Sequence, residues 1–123
     1  MYLVSVRKHF DAAHYLREYQ GKCENMHGHR FEVVVTLEAQ TLDKAGMAFD
    51  FTVLKQYLEK ILDTYDHACL NDISPFDEIN PSSENIAATI CQEMESEIKN
   101  ENVTISSVEV WESPESWATY LPS

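Results

Sequence analysis

The chain has 123 residues, a length that favours one domain, residues 1–123, with a single hydrophobic core. Its formal net charge of −12 argues against nucleic acid or an anionic membrane as a partner, and no apolar stretch is long enough to span a bilayer. Three cysteines make no disulfide framework, and the apolar N-terminus runs straight into Arg7 and Lys8, unlike a signal peptide. We therefore expect a protein of the reducing cytoplasm.

The first half of the chain predicts two strands. Apolar residues favour a strand over 2–10, and a long polar loop follows over 11–29. Residues 30–38 are rich in β-branched side chains with apolar residues at alternate positions, which predicts a second strand. If this strand extends back towards the loop, His27 and His29 stand on its apolar face.

Two helices are predicted next, from capping residues and from the spacing of apolar side chains. Asp50 can cap a helix that runs to about Tyr65. A second long loop over 66–81 leads to another helix, which opens at Ser82 or Ser83, since both are good capping residues.

Two further strands complete the predicted fold. They cover residues 104–112 and 116–121, and a tight turn over 113–115 joins them. The economical architecture is an α+β fold, a four-stranded antiparallel sheet with both helices on one face in the order ββααββ. Because so small a sheet leaves a bare face and free edges, we expect it to oligomerise or to close into a barrel.

The clearest chemical signal comes from His14, His27 and His29. In an extended chain His27 and His29 point to the same side, and His14 from another segment can close a third side. Three neutral imidazoles with an open fourth position are the ligand set of a catalytic zinc ion. A lone His-x-His pair more often consists of ordinary strand histidines, and iron or nickel would accept the same ligands.

Three further positions carry side chains suited to acid–base chemistry or to binding. Cys23 fits a fourth zinc ligand, a thiolate with a lowered pKa, or an inert thiol. Asp66 beside His67 suits a proton shuttle, although solvated loop residues give the same pattern. Glu112, beside Trp111 at the end of an apolar strand, can accept two hydrogen bonds from the amidine-like edge of a pterin or guanine. A solvent-facing acid is the commoner residue at a strand end.

Basic side chains are concentrated near the N-terminus. Residues 1–30 hold five basic and three acidic side chains, whereas the remainder holds four basic and eighteen acidic ones. The simplest explanation is solvated surface charge. The alternative is a local pocket for an anionic substrate.

Six motifs in order along the chain resemble those of the 6-pyruvoyl-tetrahydropterin synthase family. They are Phe10-Asp11-Ala12-Ala13-His14, Cys23-x-x-x-His27-Gly28-His29, Met47-Ala48-Phe49-Asp50-Phe51-x-x-Leu54-Lys55, Asp66-His67-x-x-Leu70-Asn71, Pro81-Ser82-Ser83-Glu84-Asn85-Ile86-Ala87 and Trp111-Glu112-Ser113. The three-residue gap between Cys23 and His27 resembles the bacterial, carboxy-forming members, because the pyruvoyl-forming animal members usually have a longer gap.

The resemblance implies the tunnelling fold and a homohexamer of two trimers with active sites between subunits. It implies three zinc ligands: His14, His27 and His29. It implies three catalytic residues: Cys23, Asp66 and His67. It also implies three substrate-binding residues: Glu112, Ser82 and Ser83. Glu112 would anchor the pterin, and the two serines retain the hydroxyl of the threonines usual in the family.

The implied reaction converts 7,8-dihydroneopterin triphosphate to 6-carboxy-5,6,7,8-tetrahydropterin, acetaldehyde and triphosphate, in the pathway to queuosine and other deazapurines. Zinc is the one cofactor implied, and the basic N-terminal segment would receive the triphosphate. Two alternatives remain open: the pyruvoyl-forming reaction, which stops before carbon–carbon cleavage, and a catalytically silent metal- or pterin-binding module. The joint presence of Cys23, Asp66, His67 and Glu112 argues against a silent module, because a binding module needs no proton relay.

Overall fold

In the computed structural model, which describes residues 1–18 and 25–123, two helices cover one face of a five-stranded sheet. The strands are β1 (Tyr2–His14), β2 (His27–Ala39), β3 (Ala68–Cys69), β4 (Val103–Ser113) and β5 (Ser116–Tyr120). The helices are α1 (Phe51–Leu62) and α2 (Ser83–Glu97), and a short 3-10 helix spans Leu70–Asp72. No helix in the described part of the chain is long and apolar enough to cross a membrane.

The strands lie in the order β3-β1-β2-β4-β5. The four long strands pair antiparallel, and β3 pairs in parallel with Ala12 and Ala13 of β1. The predicted four-stranded antiparallel sheet is therefore wrong, since the sheet is mixed and has a fifth strand. This strand lies within the predicted loop over 66–81, where two residues are too few to give a periodic signal.

The first two strands are longer than predicted. They pair continuously from Tyr2 opposite Ala39 to His14 opposite His27, so the predicted loop over 11–29 is wrong at both ends. The missed residues at the ends of both strands include polar and small side chains, which break the apolar alternation on which the prediction relied. The extension brings the histidines onto the sheet.

Both predicted helix caps are confirmed. The Asp50 carboxylate accepts a hydrogen bond from the N–H of Thr52 at 2.8 Å, and the Ser82 hydroxyl accepts one from the N–H of Asn85 at 3.2 Å. The first helix ends at Leu62, one turn earlier than predicted.

The hydrophobic core fills the space between the helices and one sheet face. Its centre is a set of fully buried side chains from β2, α1 and α2: Phe31, Val33, Val35, Leu37, Leu54, Leu58, Ile86, Ile90 and Met94. The opposite sheet face has no covering layer among the described residues. It carries charged and aromatic side chains: Arg7, Asp11, Arg30, Glu32 and Trp111. The two faces therefore offer different chemistry.

Candidate metal centre

Three imidazoles lie close together at the end of the β1–β2 pairing. His14 lies opposite His27, and His29 stands two residues further along β2 on the same face. The ring centroids are 4.9 Å apart for His14 and His27, 5.2 Å for His14 and His29, and 4.5 Å for His27 and His29. Phe31 packs edge-on against His14 and His29, so the core supports the cluster from below.

Main-chain carbonyls fix the orientation of two of these imidazoles. Nδ1 of His14 lies 2.8 Å from the carbonyl oxygen of Pro81, and Nδ1 of His27 lies 2.7 Å from that of Asn25. Because a carbonyl oxygen can only accept, Nδ1 carries the proton in both rings. In the neutral rings each Nε2 then keeps a free lone pair, as in a metal-bound histidine whose other nitrogen is held by a carbonyl.

Glu112 brings a carboxylate to the same place. It follows Val108 and Val110 on the helix-covered face of β4, and its Oε1 lies 3.2 Å from Nε2 of His14 and 3.4 Å from Nε2 of His29. The carboxylate and the deprotonated Nε2 of His14 are both acceptors. Within the described residues, no hydrogen-bond partner reaches the buried Nε2 of His14 or of His29. Opposed buried acceptors are stabilised by a cation between them, so these residues fit a metal ion.

The surroundings of His29 favour its neutral imidazole. The pKa of His29 is lowered, first by burial and then by His27 and His14, while Glu112 acts in the opposite direction. The neutral imidazole is the form that binds a metal. His14, His27, His29 and Glu112 each bring one ligand atom within 4.8 Å of the others, so the carboxylate of Glu112 borders the three predicted histidines.

Asp66 and His67 form a second group. Nδ1 of His67 lies 2.9 Å from Oδ2 of Asp66, so the two adjacent side chains are in contact. The N–H of Asp11 donates to Oδ1 of Asp66 at 2.9 Å, and the N–H of His67 donates to the carbonyl of Asp11 at 2.6 Å. The bond from Asp11 is the main reason why the pKa of Asp66 lies below its ordinary value. His67 has a φ of 58°, a left-handed conformation that non-glycine residues adopt mainly at constrained sites.

The two groups are separate in the described chain: Asp66 and His67 gather with Asp11, whereas the three histidines gather with Glu112. The surface beside His67 is lined by residues of β1 and β2: Asp11, Ala12, Ala13, Gly28, His29 and Arg30. His67 and His29 thus border the same surface, but the predicted relay does not form one group with the histidine cluster.

The remaining predicted site residues lie beside the cluster or outside the described chain. Ser82 and Ser83 follow Pro81, whose carbonyl holds His14, and the Ser82 hydroxyl serves as the cap of α2. Cys23 lies outside the described residues. The roles of all three stay predictions.

Sequence reasoning missed several residues that shape the two groups. The carbonyls of Asn25 and Pro81 left no signal, since every residue type has a carbonyl. Asp11 belongs to the motif that contains His14, but its type predicts no role, although its main chain is hydrogen-bonded to both Asp66 and His67. The proximity of Glu112 to the imidazoles depends on the register of β4, which the sequence does not reveal.

The basic side chains of the N-terminal segment that the structure describes have partners. Four of them contact a carboxylate or a main-chain carbonyl: Arg7 with Glu32 at 3.7 Å, Lys8 with Glu59 at 3.5 Å, Arg30 with Asp11 at 3.0 Å, and Arg17 with Phe76 at 2.9 Å and Ile79 at 3.3 Å. These contacts favour the surface-charge explanation for the segment. Arg7 and Arg30 nevertheless line a cavity of about 520 Å³ that also reaches Trp111, Glu112 and Pro114.

Comparison with known proteins identifies the family. The family model described as 6-pyruvoyl tetrahydropterin synthase matches residues 3–123. The chain belongs to this family. Relatives named 6-carboxy-5,6,7,8-tetrahydropterin synthase include a Bacillus subtilis protein, 35% identical over 121 residues, which cover 93% of this chain and 81% of the relative. A Haemophilus influenzae protein of the same name is 30% identical over 145 residues, which cover 98% of this chain and 99% of the relative.

Solved structures of the family share the fold. The 6-pyruvoyl tetrahydropterin synthase of Caenorhabditis elegans superposes with a TM-score of 0.86 at 30% identity, covering 100% of this chain and 98% of that one. The Plasmodium falciparum enzyme, at 22% identity and a TM-score of 0.79 over 97% and 96% of the two chains, supports the fold alone. The predicted α+β tunnelling fold is confirmed, and closure into an oligomeric barrel stays a prediction.

Proposed function

We propose that this chain is a zinc-dependent 6-carboxy-5,6,7,8-tetrahydropterin synthase of queuosine and deazapurine biosynthesis. It would convert 7,8-dihydroneopterin triphosphate to 6-carboxy-5,6,7,8-tetrahydropterin, acetaldehyde and triphosphate. The names of the bacterial relatives support the activity. The observation that carries the proposal is the convergence of His14, His27, His29 and Glu112, which each bring one ligand atom within 4.8 Å of the others. The free thiols of Cys69 and Cys91 are consistent with action in the cytoplasm.

His14, His27 and His29 would hold the zinc through Nε2. The carbonyls of Pro81 and Asn25 keep two of the rings in the tautomer that this requires. When bound, zinc supplies Lewis acidity towards the hydroxyls of the substrate side chain.

Glu112 would anchor the pterin ring. Its carboxylate contacts His14 and His29, and Glu112 also lines the cavity to which the neighbouring Trp111 contributes an aromatic wall. A carboxylate can accept two hydrogen bonds from the NH–C(NH2) edge of a pterin. Ser82 and Ser83, at the start of α2, would add hydroxyl groups to the same binding site.

Asp66 and His67 would move protons together with Cys23. Because the pKa of Asp66 is lowered, its carboxylate stays ionised and can stabilise a protonated His67. The contact through Nδ1 leaves Nε2 of this exposed imidazole directed away from Asp66 and available to the substrate. Cys23, as a thiolate, would transfer a proton in the opposite sense.

The separation of the two groups supports a site shared between subunits. We propose a homohexamer of two trimers, in which the histidine cluster of one copy faces Asp66 and His67 of another. In the described chain β5 is an edge strand, and the outer edge of β1 is paired only at Ala12 and Ala13. Such free edges are suited to pairing with a further copy.

Product analysis tests the proposed reaction. Purified zinc-loaded protein is incubated with 7,8-dihydroneopterin triphosphate, and the pterin products are identified by mass spectrometry. We expect the 6-carboxy product together with acetaldehyde. The 6-pyruvoyl product would instead favour the second candidate, the activity named for the Caenorhabditis elegans relative. Binding of a pterin and zinc without conversion would establish a silent binding module.

A further inference from the structure

Two asparagine side chains take the place of a neighbouring strand just beyond His14. Asn71 accepts a hydrogen bond from the N–H of Tyr15 at 3.0 Å and donates to the carbonyl of Tyr15 at 3.1 Å. Asn80 does the same for Arg17, with distances of 2.8 Å and 2.9 Å. Tyr15 and Arg17 are two residues apart, as are the residues that one strand presents to one neighbour. Both asparagines therefore satisfy main-chain groups that the sheet no longer pairs.

These contacts converge on the first histidine of the metal cluster. Tyr15 follows His14 directly, so Asn71 holds the main chain next to this imidazole. Pro81 follows Asn80, and its carbonyl accepts from Nδ1 of His14 at 2.8 Å. The segment that carries the two amides thus also supplies the acceptor that sets the tautomer of His14.

The same segment is tied to α2. The carbonyl of Asn80 accepts a hydrogen bond from Nδ2 of Asn85 at 2.9 Å, and the Ser82 hydroxyl caps the helix. An amide suits the paired hydrogen bonds of Asn71 and Asn80 because it combines a donor and an acceptor, whereas an ionised carboxylate only accepts. Asn71 is 4% exposed, so loss of its side chain leaves buried main-chain groups without partners.

We propose that Asn71 and Asn80 are positioning residues of the metal centre, which keep the His14 imidazole directed at the ion through the main chain of Tyr15 and Arg17 and through the Pro81 carbonyl. The inference rests on the proposed function for the presence of the metal. Outer residues that orient a ligand typically change metal affinity by about 10- to 100-fold when they are removed.

Two measurements on Asn80→Ala test the inference. Zinc affinity is determined by competition with a chromophoric chelator, and the tautomer of His14 is read in the metal-free protein from its imidazole ¹⁵N signals. We expect zinc to bind about 10- to 100-fold more weakly and the Nδ1–H signature of His14 to be lost or averaged. Asn100→Ala is the matched control, because this exposed side chain accepts only from the N–H of Asn102 in a distant turn.

The half-buried Asn80 is the primary position, since Asn71→Ala is more prone to unfold. Asn80→Gln keeps both amide groups on a longer arm and should weaken zinc binding less than Asn80→Ala. Wild-type zinc affinity together with an unchanged His14 signature in Asn80→Ala would overturn the inference. If wild-type protein binds no zinc, the proposed function fails, and the tautomer measurement still decides whether Asn80 positions His14.

Discussion

At the scale of single residues, Glu112 faces both the metal cluster and the cavity. Its Oε1 lies 3.2 Å and 3.4 Å from two imidazole nitrogens, and its side chain also lines the cavity that holds Trp111. We assign the carboxylate to the pterin and the imidazoles to the metal. The two duties can be separated experimentally, because pterin binding and metal binding are measured independently.

Glu112→Gln should weaken pterin binding. The amide keeps the shape of the side chain but loses the charge and presents one donor end to a substrate edge with two donors. A charge-assisted hydrogen bond contributes about 1.5–3 kcal/mol, so affinity should fall by about 10- to 100-fold. Calorimetric titration with a non-reactive pterin measures the effect, while the zinc content should stay near that of the wild type. Equal pterin affinity would return Glu112 to the role of a solvated strand-end acid.

At the scale of secondary-structure elements, the sequence predicted the two helices and the four long strands in their order along the chain, but not the ends of β1 and β2 that carry His14 and His27. The caps at Asp50 and Ser82 are local chemistry, and the structure confirms both. The extension of β1 to His14 depends on pairing with β2, which is a long-range contact. The short β3 and the hydrogen bonds from the side-chain amides of Asn71 and Asn80 likewise join segments more than fifty residues apart. No local sequence pattern therefore predicts them.

In the candidate site, too, local side-chain chemistry was predictable and long-range main-chain contacts were not. Residue types and the His-x-His spacing predicted that His14, His27 and His29 come together, because side-chain chemistry can be read directly from the sequence. The contacts of the Pro81 carbonyl and of the Asp11 N–H could not be predicted, because main-chain groups of this kind occur along the whole chain and leave no mark on the sequence.

The contact between α2 and the segment after α1 predicts a pH dependence of stability. Burial raises the pKa of Glu93 on α2, while the hydrogen bond from the Tyr65 hydroxyl acts in the opposite direction. A raised pKa in the folded state means that the contribution of Glu93 is full at low pH and is lost as pH rises through that pKa. Glu93→Gln removes the titration and keeps an acceptor for Tyr65.

Denaturant unfolding at a series of pH values tests this effect. The free energy of unfolding of Glu93→Gln, relative to the wild type, should rise as pH increases through the raised pKa of Glu93 and level off above it. The exposed Glu101→Gln is the control and should show no such trend. A difference between Glu93→Gln and the wild type that is constant with pH would contradict the account.

At the scale of the whole molecule, the histidine cluster and the Asp66–His67 pair form two separate groups in the described chain. Neither group alone contains all the residues of the proposed reaction. The proposed site shared between copies would bring the two groups together, and the free strand edges are suited to pairing with a further copy.

Subunit mixing tests the shared site. Cys23→Ala and His67→Ala chains should each be inactive, and their mixture under exchange conditions should recover part of the wild-type activity if the two residues serve one site from different subunits. Glu101→Gln, at an exposed position outside the proposed roles, controls for effects of the exchange procedure. A fully active monomer by light scattering would refute the shared site.

Zinc K-edge X-ray absorption of the purified protein tests the central claim, that three imidazoles form a catalytic metal centre, most directly. The account predicts about one zinc per chain with three imidazole nitrogens at about 2.0–2.1 Å and no sulfur ligand. His27→Ala should lose most of this metal. A sulfur shell at about 2.3 Å would place Cys23 among the ligands, and zinc without imidazole neighbours, or full zinc content in His27→Ala, would contradict the metal centre itself.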